Sequence, residues 1–257
     1  MTDTAPPQTV LITGAARRIG RALALDLAAH GWQVAVHYHG SAEDAAATVA
    51  MIEQAGGRAF ALAADLADEA QATRLLARAG DHAGAPITAL INNASVFEQD
   101  HWHDASRQGW DLHMAVNLRA PFVLSQAMAH ALPAAMTGAI INIIDQRVWR
   151  LRPDFMTYTL SKSGLWTLTQ TLAQALAPRI RVNAIGPGPV LRSIHQGPQD
   201  FAAEAAAVPL GHGPSLAEIG DAARFILAAT SMTGQMIALD GGQHLAWTTP
   251  ETGDRHD

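Results

Sequence analysis

The stretch VLITGAARRIG at residues 10–20 joins a short apolar segment to a glycine-containing turn and the start of an alanine-rich and leucine-rich helix. Gly14 allows a tight turn at the end of a strand, and Gly20 allows a helix to begin close to a bound pyrophosphate. The N-terminus of that helix offers free N–H groups and partial positive charge to phosphate oxygens. The pattern predicts a strand–loop–helix unit that binds a dinucleotide, and an ordinary strand-to-helix turn is the alternative. The residues assigned to this contact are Gly14, Arg17, Arg18, Ile19 and Gly20.

Outward from this stretch, short apolar runs alternate with helical patterns along the whole chain. The predicted strands are residues 10–12, 34–36, 59–63, 89–91, 139–144, 181–185 and 236–239. The predicted helices are residues 21–29, 42–54, 69–79, 110–131, 161–177 and 216–229. Such alternation gives right-handed crossovers and a parallel sheet, and continuously apolar strands indicate a sheet covered on both faces. We therefore predict an α/β fold: a Rossmann-type doubly wound domain with a seven-stranded parallel sheet and helices on both faces.

Length and composition narrow the class of protein. A chain of 257 residues that is 49% apolar is long enough for one filled core and too short for two full domains. We expect a single domain over residues 1–257, with residues 1–8 and 248–257 as flexible tails. Cysteine is absent, which excludes a disulfide framework and thiolate metal sites. The twelve histidines are scattered along the chain and form no HExxH pattern, so no metal site is predicted.

Charge and hydropathy point to a small-molecule partner. The formal net charge of −6 argues against a general binder of nucleic acid or anionic membranes. The first residues lack the basic and apolar regions of a signal peptide, and no apolar run is long enough to span a bilayer. We expect a cytoplasmic location, with no nucleic-acid or membrane partner.

The segment after the second predicted strand bears on the choice of cofactor. Dinucleotide-binding units usually place an acidic residue there to bind the ribose 2′-hydroxyl. This chain has HYHGS at residues 37–41, and the first carboxylate is that of Glu43. The missing acid favours NADP(H), because an acid would repel the 2′-phosphate and arginine would attract it. The residues assigned to this part are Arg17, His37, Tyr38, His39 and Ser41, with solvated loop residues as the alternative.

Two further strand ends carry polar residues. Asp65 and Leu66 end the third predicted strand and are assigned to the adenine edge of the cofactor. The segment NNAS at residues 92–95 ends the fourth. Ligands of open α/β sheets bind at the carboxyl ends of strands, so Asn93, Ala94 and Ser95 are predicted to face the cofactor.

The pair Tyr158 and Lys162 indicates proton transfer coupled to hydride transfer. Their spacing places both side chains on one face of a helix. An ammonium beside a phenol favours the phenolate, so we expect Lys162 to lower the pKa of Tyr158. Such a tyrosine can donate a proton to a carbonyl or imine as hydride arrives, or accept it in reverse.

Over nearly its whole length the chain resembles the short-chain dehydrogenase/reductase family. The matching pieces are the loop at residues 13–20, Asp65, the segment 92–94, Asn117, Tyr158, Lys162, Pro187, Gly188 and the segment DGG at residues 240–242. The resemblance implies a nicotinamide cofactor and a homotetramer. It also implies that Tyr158 is the acid/base and that Lys162 holds the nicotinamide ribose. Asn117 would bind a relay water, and Pro187 and Gly188 would pass below the nicotinamide.

Two positions depart from the general family pattern. Asp145 lies thirteen residues before Tyr158, where the family usually has serine, and Arg18 replaces the middle glycine of the loop. At both positions the chain resembles the pteridine reductases and the dihydromonapterin or dihydrofolate reductase branch of the family. The HYH-Ser stretch and the NNAS segment followed by an aromatic residue are also similar to that branch. Gly40 differs, because its best-known members have an arginine there.

This branch implies a pterin or folate substrate, and the residue chemistry is compatible with one. Phe97 could stack on a flat pterin, and Ser95 could bind its rim. Arg18 could reach both a cofactor phosphate and the pterin. Asp145 and Tyr158 would protonate a ring nitrogen, since a carboxylate would oppose an oxyanion. The alternatives are a core residue for Phe97, a turn cap for Asp145 and a surface charge for Arg18.

Two other segments remain open. Arg147, Arg150 and Arg152 could bind an anionic substrate tail such as the glutamate of folate, although a solvated loop is the favoured interpretation. Residues 190–212 are expected to cover the substrate as a loop.

Three functions are compatible with the sequence. The first is an NADPH-dependent reductase of the C=N bond of a dihydropterin or dihydrofolate. The second is a reductase of carbonyls such as 3-oxoacyl thioesters, against which Asp145 counts. The third is a non-catalytic NADP(H)-binding sensor, against which Asn117, Tyr158 and Lys162 count.

Overall fold

Seven parallel strands form one sheet in the computed structural model, which describes residues 8–192 and 196–246. The strands lie in the order β3-β2-β1-β4-β5-β6-β7, and every pairing is parallel. Their bounds are β1 Thr9–Ile12, β2 Gln33–Tyr38, β3 Arg58–Ala63, β4 Ile87–Asn92, β5 Gly138–Ile143, β6 Ile180–Pro187 and β7 Met236–Leu239. The predicted fold class is confirmed. Apart from Gln8, the predicted tails at 1–8 and 248–257 lie outside the described residues.

Helices cover both faces of this sheet. They are α1 Arg18–Ala29, α2 Ala42–Gln54, α3 Glu69–Ala83, α4 Arg107–Met114, α5 Ala120–Ala131, α6 Met156–Ala175, α7 Pro198–Ala206 and α8 Leu216–Ala228. Side chains alternate across β1, so Leu11 joins one apolar core, while Val10 and Ile12 join the core on the opposite face. The first core contains side chains of α3, α5 and α6, and the second contains side chains of α1, α2 and α8. The central strands β1, β4 and β5 are therefore buried on both faces, whereas the edge strand β3 is largely exposed.

The structure differs from the sequence prediction at three helices. The predicted helix 110–131 is divided into α4 and α5 by a π-helical segment, Ala115–Arg119. The predicted helix 161–177 begins five residues earlier, at Met156, so that Tyr158 lies in its first turn. The predicted loop 190–212 contains α7. Among the described residues, no helix has the length and apolar character needed to cross a membrane.

The strand order reverses between β1 and β4, which leaves a crevice beyond their carboxyl ends. Ligands of open α/β sheets bind at such a switch point, because the loops on its two sides diverge. A cleft of about 1310 Å³ opens there. It is lined by residues that follow β1, β2, β3, β4, β5 and β6.

Candidate active site

The loop between β1 and α1 forms a cradle with little space for added atoms. A Cβ atom built on Gly20 would lie 2.2 Å from the carbonyl oxygen of Gly14, so only glycine fits without displacement of the loop. Arg17 precedes α1 without a side-chain hydrogen bond to its first turn. The N–H groups of that turn therefore remain available to an anion, which fits the pyrophosphate of a dinucleotide.

Arg18 occupies the backbone conformation that favours glycine. Its φ is 54°, which is uncommon for a residue with a side chain. The guanidinium donates hydrogen bonds to the carbonyl oxygens of Arg192, at 2.9 Å, and Leu191, at 3.2 Å. Arg18 thus ties the phosphate loop to the segment after β6, on the rim of the cleft.

His37 lies beneath this loop. It is 2% exposed, its Nδ1 accepts a hydrogen bond from the Gly14 N–H at 3.0 Å, and its Nε2 lies 3.1 Å from the Ala64 carbonyl oxygen, to which it donates. Burial lowers the pKa of His37 to about 4, so the ring is neutral at pH 7. Both ring nitrogens are engaged with the protein, and His37 also lines the cleft, so its contact with a 2′-phosphate stays a prediction.

The other residues predicted for the 2′-phosphate also line the cleft. Arg17 is mostly exposed, with its Nε 3.6 Å from a carboxylate oxygen of Asp44. Ser41 precedes α2 without a side-chain cap bond. His39 Nδ1 lies 3.5 Å from Asp65 Oδ1. Tyr38 and Leu66 line the same part of the cleft.

The residues that follow β4 contact the loop between β1 and α1 and line the cleft. Asn93 donates from Nδ2 to the carbonyl oxygens of Thr13, at 2.8 Å, and Gly14, at 3.1 Å. Ala94 lies close to Gly14: a Cβ atom added to Gly14 would be 3.0 Å from the Cα atom of Ala94. Ser95 lines the cleft, and its hydroxyl donates to the carbonyl oxygen of Val96.

The centre of the cleft holds a tyrosine bonded to a carboxylate. Tyr158 Oη donates to Asp145 Oδ2 at 2.9 Å, and Asp145 Oδ1 accepts the backbone N–H of Arg147 at 2.8 Å. One oxygen of Asp145 therefore caps a turn, and the other meets the tyrosine. Lys162 Nζ donates to the carbonyl oxygen of Ile143 at 2.9 Å and lies 5.7 Å from the centre of the Tyr158 ring.

Burial and Asp145 reverse the expected direction of the tyrosine pKa. Burial raises the pKa of Tyr158 well above its usual value, and the negative charge and hydrogen bond of Asp145 raise it further. Burial also lowers the pKa of Lys162 to about 8, although Asp145 opposes that shift. The expectation that Lys162 lowers the tyrosine pKa is therefore wrong here. Aspartate in place of serine accounts for part of the difference, because its charge disfavours a neighbouring phenolate.

Asn117 lies in the π-helical segment and is fully buried. Its Oδ1 accepts the N–H of Val96 at 2.8 Å, and its Nδ2 donates to the carbonyl oxygen of Val96 and to Ser161 Oγ, both at 3.0 Å. Asn117 thereby joins the loop after β4 to α6. The relay water implied by the family resemblance stays a prediction.

An aromatic stack stands beside Tyr158. The rings of Phe97 and Phe155 are parallel within 3°, with centroids 4.3 Å apart, and the Phe97 and Tyr158 rings cross at 79° with centroids 4.7 Å apart. Sequence reasoning assigned Phe97 to the site and missed Phe155. The only signal was its position three residues before Tyr158, because its φ of 52° is visible only in the structure.

Beyond Phe155, the cleft wall carries arginines that the sequence left as a solvated loop. The side chains of Arg147 and Arg152 are only 11% and 18% exposed, and both pair with Asp154. The favoured interpretation of these two residues as solvated is therefore wrong. Pro187, the last residue of β6, and Gly188 line the cleft, and a Cβ atom on Gly188 would lie 2.7 Å from Asp240.

A buried cluster behind Tyr158 was also missed. Thr157 donates from its hydroxyl to Asp100 through a short hydrogen bond, and the Thr157 N–H reaches the same carboxylate at 3.1 Å. His113 Nδ1 lies 2.8 Å from the Thr157 hydroxyl. These contacts join the loop after β4 and α4 to the first turn of α6, which fixes the position of Tyr158.

Known proteins are similar to this chain in fold and in sequence. A family model described as enoyl-(acyl carrier protein) reductase matches residues 14–244. The FolM alternative dihydrofolate reductase 1 from Brucella canis, in complex with NADP, has a TM-score of 0.92 and 48% identity, covering 96% of this chain and 98% of its own. FolM from Brucella suis, also with NADP, gives 0.91 and 50%, covering 95% and 97%. The 3-oxoacyl-(acyl-carrier-protein) reductase FabG of Staphylococcus aureus is 31% identical over 243 residues, 93% of this chain and 98% of its own.

The chain belongs to the short-chain dehydrogenase/reductase family and is an oxidoreductase of that family. Within it, the chain is similar to the two FolM alternative dihydrofolate reductases, with which it shares about half of its residues. The resemblance to the pteridine reductase branch is thereby confirmed.

Proposed function

We propose that the protein is an NADPH-dependent reductase of the C=N bond of a dihydropterin or dihydrofolate. The observation that carries the proposal is the hydrogen bond from Tyr158 Oη to Asp145 Oδ2 at 2.9 Å, within a cleft that also holds Phe97. A carboxylate at this place suits a ring nitrogen that gains a proton, whereas it would oppose the charge of a developing oxyanion.

The cleft fits NADP(H). Gly14 and Gly20 give the close approach that a pyrophosphate needs, and the uncapped start of α1 offers N–H donors. Arg17, His39 and Ser41 at the rim are the groups assigned to the 2′-phosphate. The similarity to the Brucella FolM structures in complex with NADP supports this assignment. When bound, NADPH supplies the hydride.

The side chains of this protein supply the proton and the orientation. Because its pKa is raised, Tyr158 stays protonated at neutral pH and has a proton to donate to the ring nitrogen as the adjacent carbon receives hydride. The resulting tyrosinate is disfavoured beside Asp145, so it regains a proton readily. Protonated Lys162 offsets the negative charge of this pair. Hydride and proton together convert C=N into CH–NH.

A planar substrate would find aromatic surface beside the proton donor. The Phe97 ring stands nearly perpendicular to Tyr158 and stacks on Phe155. Ring stacking favours a flat heteroaromatic over an extended acyl chain. We propose that Phe97, Ser95 and Arg18 contact the pterin, with Phe155 moving aside or stacking on its tail.

The similarity to FabG favours 3-oxoacyl thioester reduction as a second candidate. Purified protein should be tested for NADPH oxidation at the nicotinamide absorbance. Dihydromonapterin, dihydrofolate and acetoacetyl thioester would be compared side by side. The proposal requires turnover of a pterin with a slow or absent thioester reaction. Thioester turnover with inert pterins contradicts it.

The substitution Asp145→Ser separates the two chemistries. Serine restores the residue usual for carbonyl reduction and removes the carboxylate, so we expect pterin turnover to fall by about 10²-fold or more. Thioester turnover should stay or rise. Equal losses on both substrates would refute nitrogen protonation as the role of Asp145. Asp104→Asn, at an exposed carboxylate outside the cleft, is the matched control.

A further inference from the structure

Two largely buried arginines share one carboxylate in the wall of the cleft. Arg147 Nη1 lies 2.7 Å from Asp154 Oδ1, and Arg152 Nε lies 3.3 Å from the same oxygen. Asp154 is 17% exposed. The group therefore carries one positive charge more than its single carboxylate neutralises.

Among the described residues, no second carboxylate pairs directly with these two arginines. Within residues 8–192 and 196–246, Asp154 is the one carboxylate within ion-pair distance of Arg147 or Arg152. Arg147 Nε is buried and has no hydrogen-bond partner among the described residues. A cation removed from water is costly unless it is paired, so this group favours an added anion.

The arginines stand next to the place assigned to the pterin. Arg147, Arg152 and Phe97 line one continuous cleft. The Arg147 guanidinium lies over the Phe155 ring at 5.3 Å, and the Phe97 ring stacks on the same Phe155 ring with centroids 4.3 Å apart. The excess positive charge is thus one aromatic ring away from Phe97.

We infer that Arg147 and Arg152 bind the carboxylate of an anionic substrate tail, so that the protein selects folate-type substrates over pterins with neutral side chains. The inference rests on the proposed function. A p-aminobenzoyl ring would lie against Phe155, and a glutamate carboxylate would meet the arginines. A guanidinium presents paired N–H donors that match carboxylate geometry.

Position 152 is the better place to test this, because Arg147 is adjacent to the Asp145–Tyr158 pair. The experiment measures KM and kcat for dihydrofolate and for dihydromonapterin in wild type, Arg152→Gln and Arg152→Lys. For Arg152→Gln we expect KM for dihydrofolate to rise about tenfold, equivalent to about 1.4 kcal/mol, while kcat stays within about twofold. Its KM for dihydromonapterin should change less than about twofold, and Arg152→Lys should recover part of the loss.

Arg107→Gln is the matched control, since Arg107 pairs with Asp111 on exposed α4 and does not line the cleft. It should change neither KM. In wild type, an increase from about 50 mM to about 300 mM NaCl should raise KM for dihydrofolate more than KM for dihydromonapterin. The inference would be overturned if KM changed equally for the two substrates, or if KM for dihydrofolate were the same in Arg152→Gln as in wild type. A phosphate ester of dihydroneopterin serves as a further arm, and a selective effect on it alone would overturn the carboxylate assignment.

A binding measurement separates this inference from the proposed function. p-Aminobenzoylglutamate, which cannot be reduced, is titrated into protein with NADP⁺ by calorimetry. Weaker binding to Arg152→Gln than to wild type or Arg107→Gln supports the arginine site even if no pterin is turned over. Equal binding to all three contradicts it even if pterins are reduced.

Discussion

His37 makes the phosphate loop sensitive to acid. Its Nδ1 accepts the Gly14 N–H only while the ring is neutral, because a protonated imidazole has no acceptor. Burial holds the pKa of His37 at about 4, against 6.5 for an ordinary histidine. The unfolded chain therefore binds more protons than the folded chain between these two values, and stability is lost as the pH falls through that window.

The size of the effect follows from the shift. Each unit of pKa difference is worth about 1.4 kcal/mol, so the contribution of His37 to the free energy of unfolding should fall by about 2 kcal/mol between pH 7 and pH 5. The loss approaches about 3 kcal/mol below pH 4. For a chain of this length, 2 kcal/mol corresponds to about 4–8 °C in Tm.

The assay is the urea midpoint and Tm between pH 4.5 and 7.5 for wild type, His37→Gln and His82→Gln. The amide in His37→Gln keeps one acceptor and one donor and does not titrate. Between pH 7 and pH 5, its free energy of unfolding should therefore fall by about 2 kcal/mol less than that of wild type. His82 is an exposed histidine on α3, and its replacement should leave the wild-type slope. Parallel slopes for wild type and His37→Gln would refute the assignment of a buried neutral His37. Carboxylates that titrate in the same range cancel in the comparison.

Three further predictions concern the cofactor and the proton. Tyr158→Phe should lower kcat by about 10²–10⁴-fold with NADPH affinity nearly unchanged, and a lost affinity measured by fluorescence would contradict its role. Turnover should fall above pH 8 as Lys162, with a pKa of about 8, loses its proton, and a flat alkaline profile would contradict this. Gly20→Ala should raise the Kd for NADPH about 10–100-fold, because the added Cβ would lie 2.2 Å from the carbonyl oxygen of Gly14. Gly80→Ala is the control, since a Cβ atom there would lie 3.6 Å from its nearest neighbour and should leave the Kd unchanged.

Local sequence patterns were enough to predict the sheet and the position of the cleft. Apolar runs predicted all seven strands, and for the central strands the reason is burial on both faces, which requires a continuously apolar sequence. The helix bounds were less accurate where no residue marks an end. The π-helical segment interrupts an apolar pattern that runs unbroken from α4 into α5, and the start of α6 at Met156 has no side-chain cap in the sequence.

Spacing could place residues near the cofactor, but it could not show which way a side chain points. His37 follows the predicted strand 34–36, but the structure places it within β2, where its ring bonds to the Gly14 N–H and the Ala64 carbonyl oxygen. Both partners are distant in sequence. Arg147 and Arg152 were misjudged for the same reason, since burial of an arginine depends on the packing around it.

The same limit applies to the pKa of Tyr158, where the sequence contained both competing charges and gave no way to rank them. Lys162 is one turn away on the helix, which favours a lowered pKa, and Asp145 is thirteen residues away, which opposes it. The structure ranks them by contact. Asp145 accepts the phenol hydrogen directly at 2.9 Å, whereas Lys162 gives its hydrogen bond to the carbonyl oxygen of Ile143. A directly bonded charge in a buried site outweighs one that acts across a ring, and burial adds to it because it disfavours the phenolate. A tyrosine in that setting is suited to keeping a proton until a basic nitrogen arrives, which links the aspartate to the class of substrate.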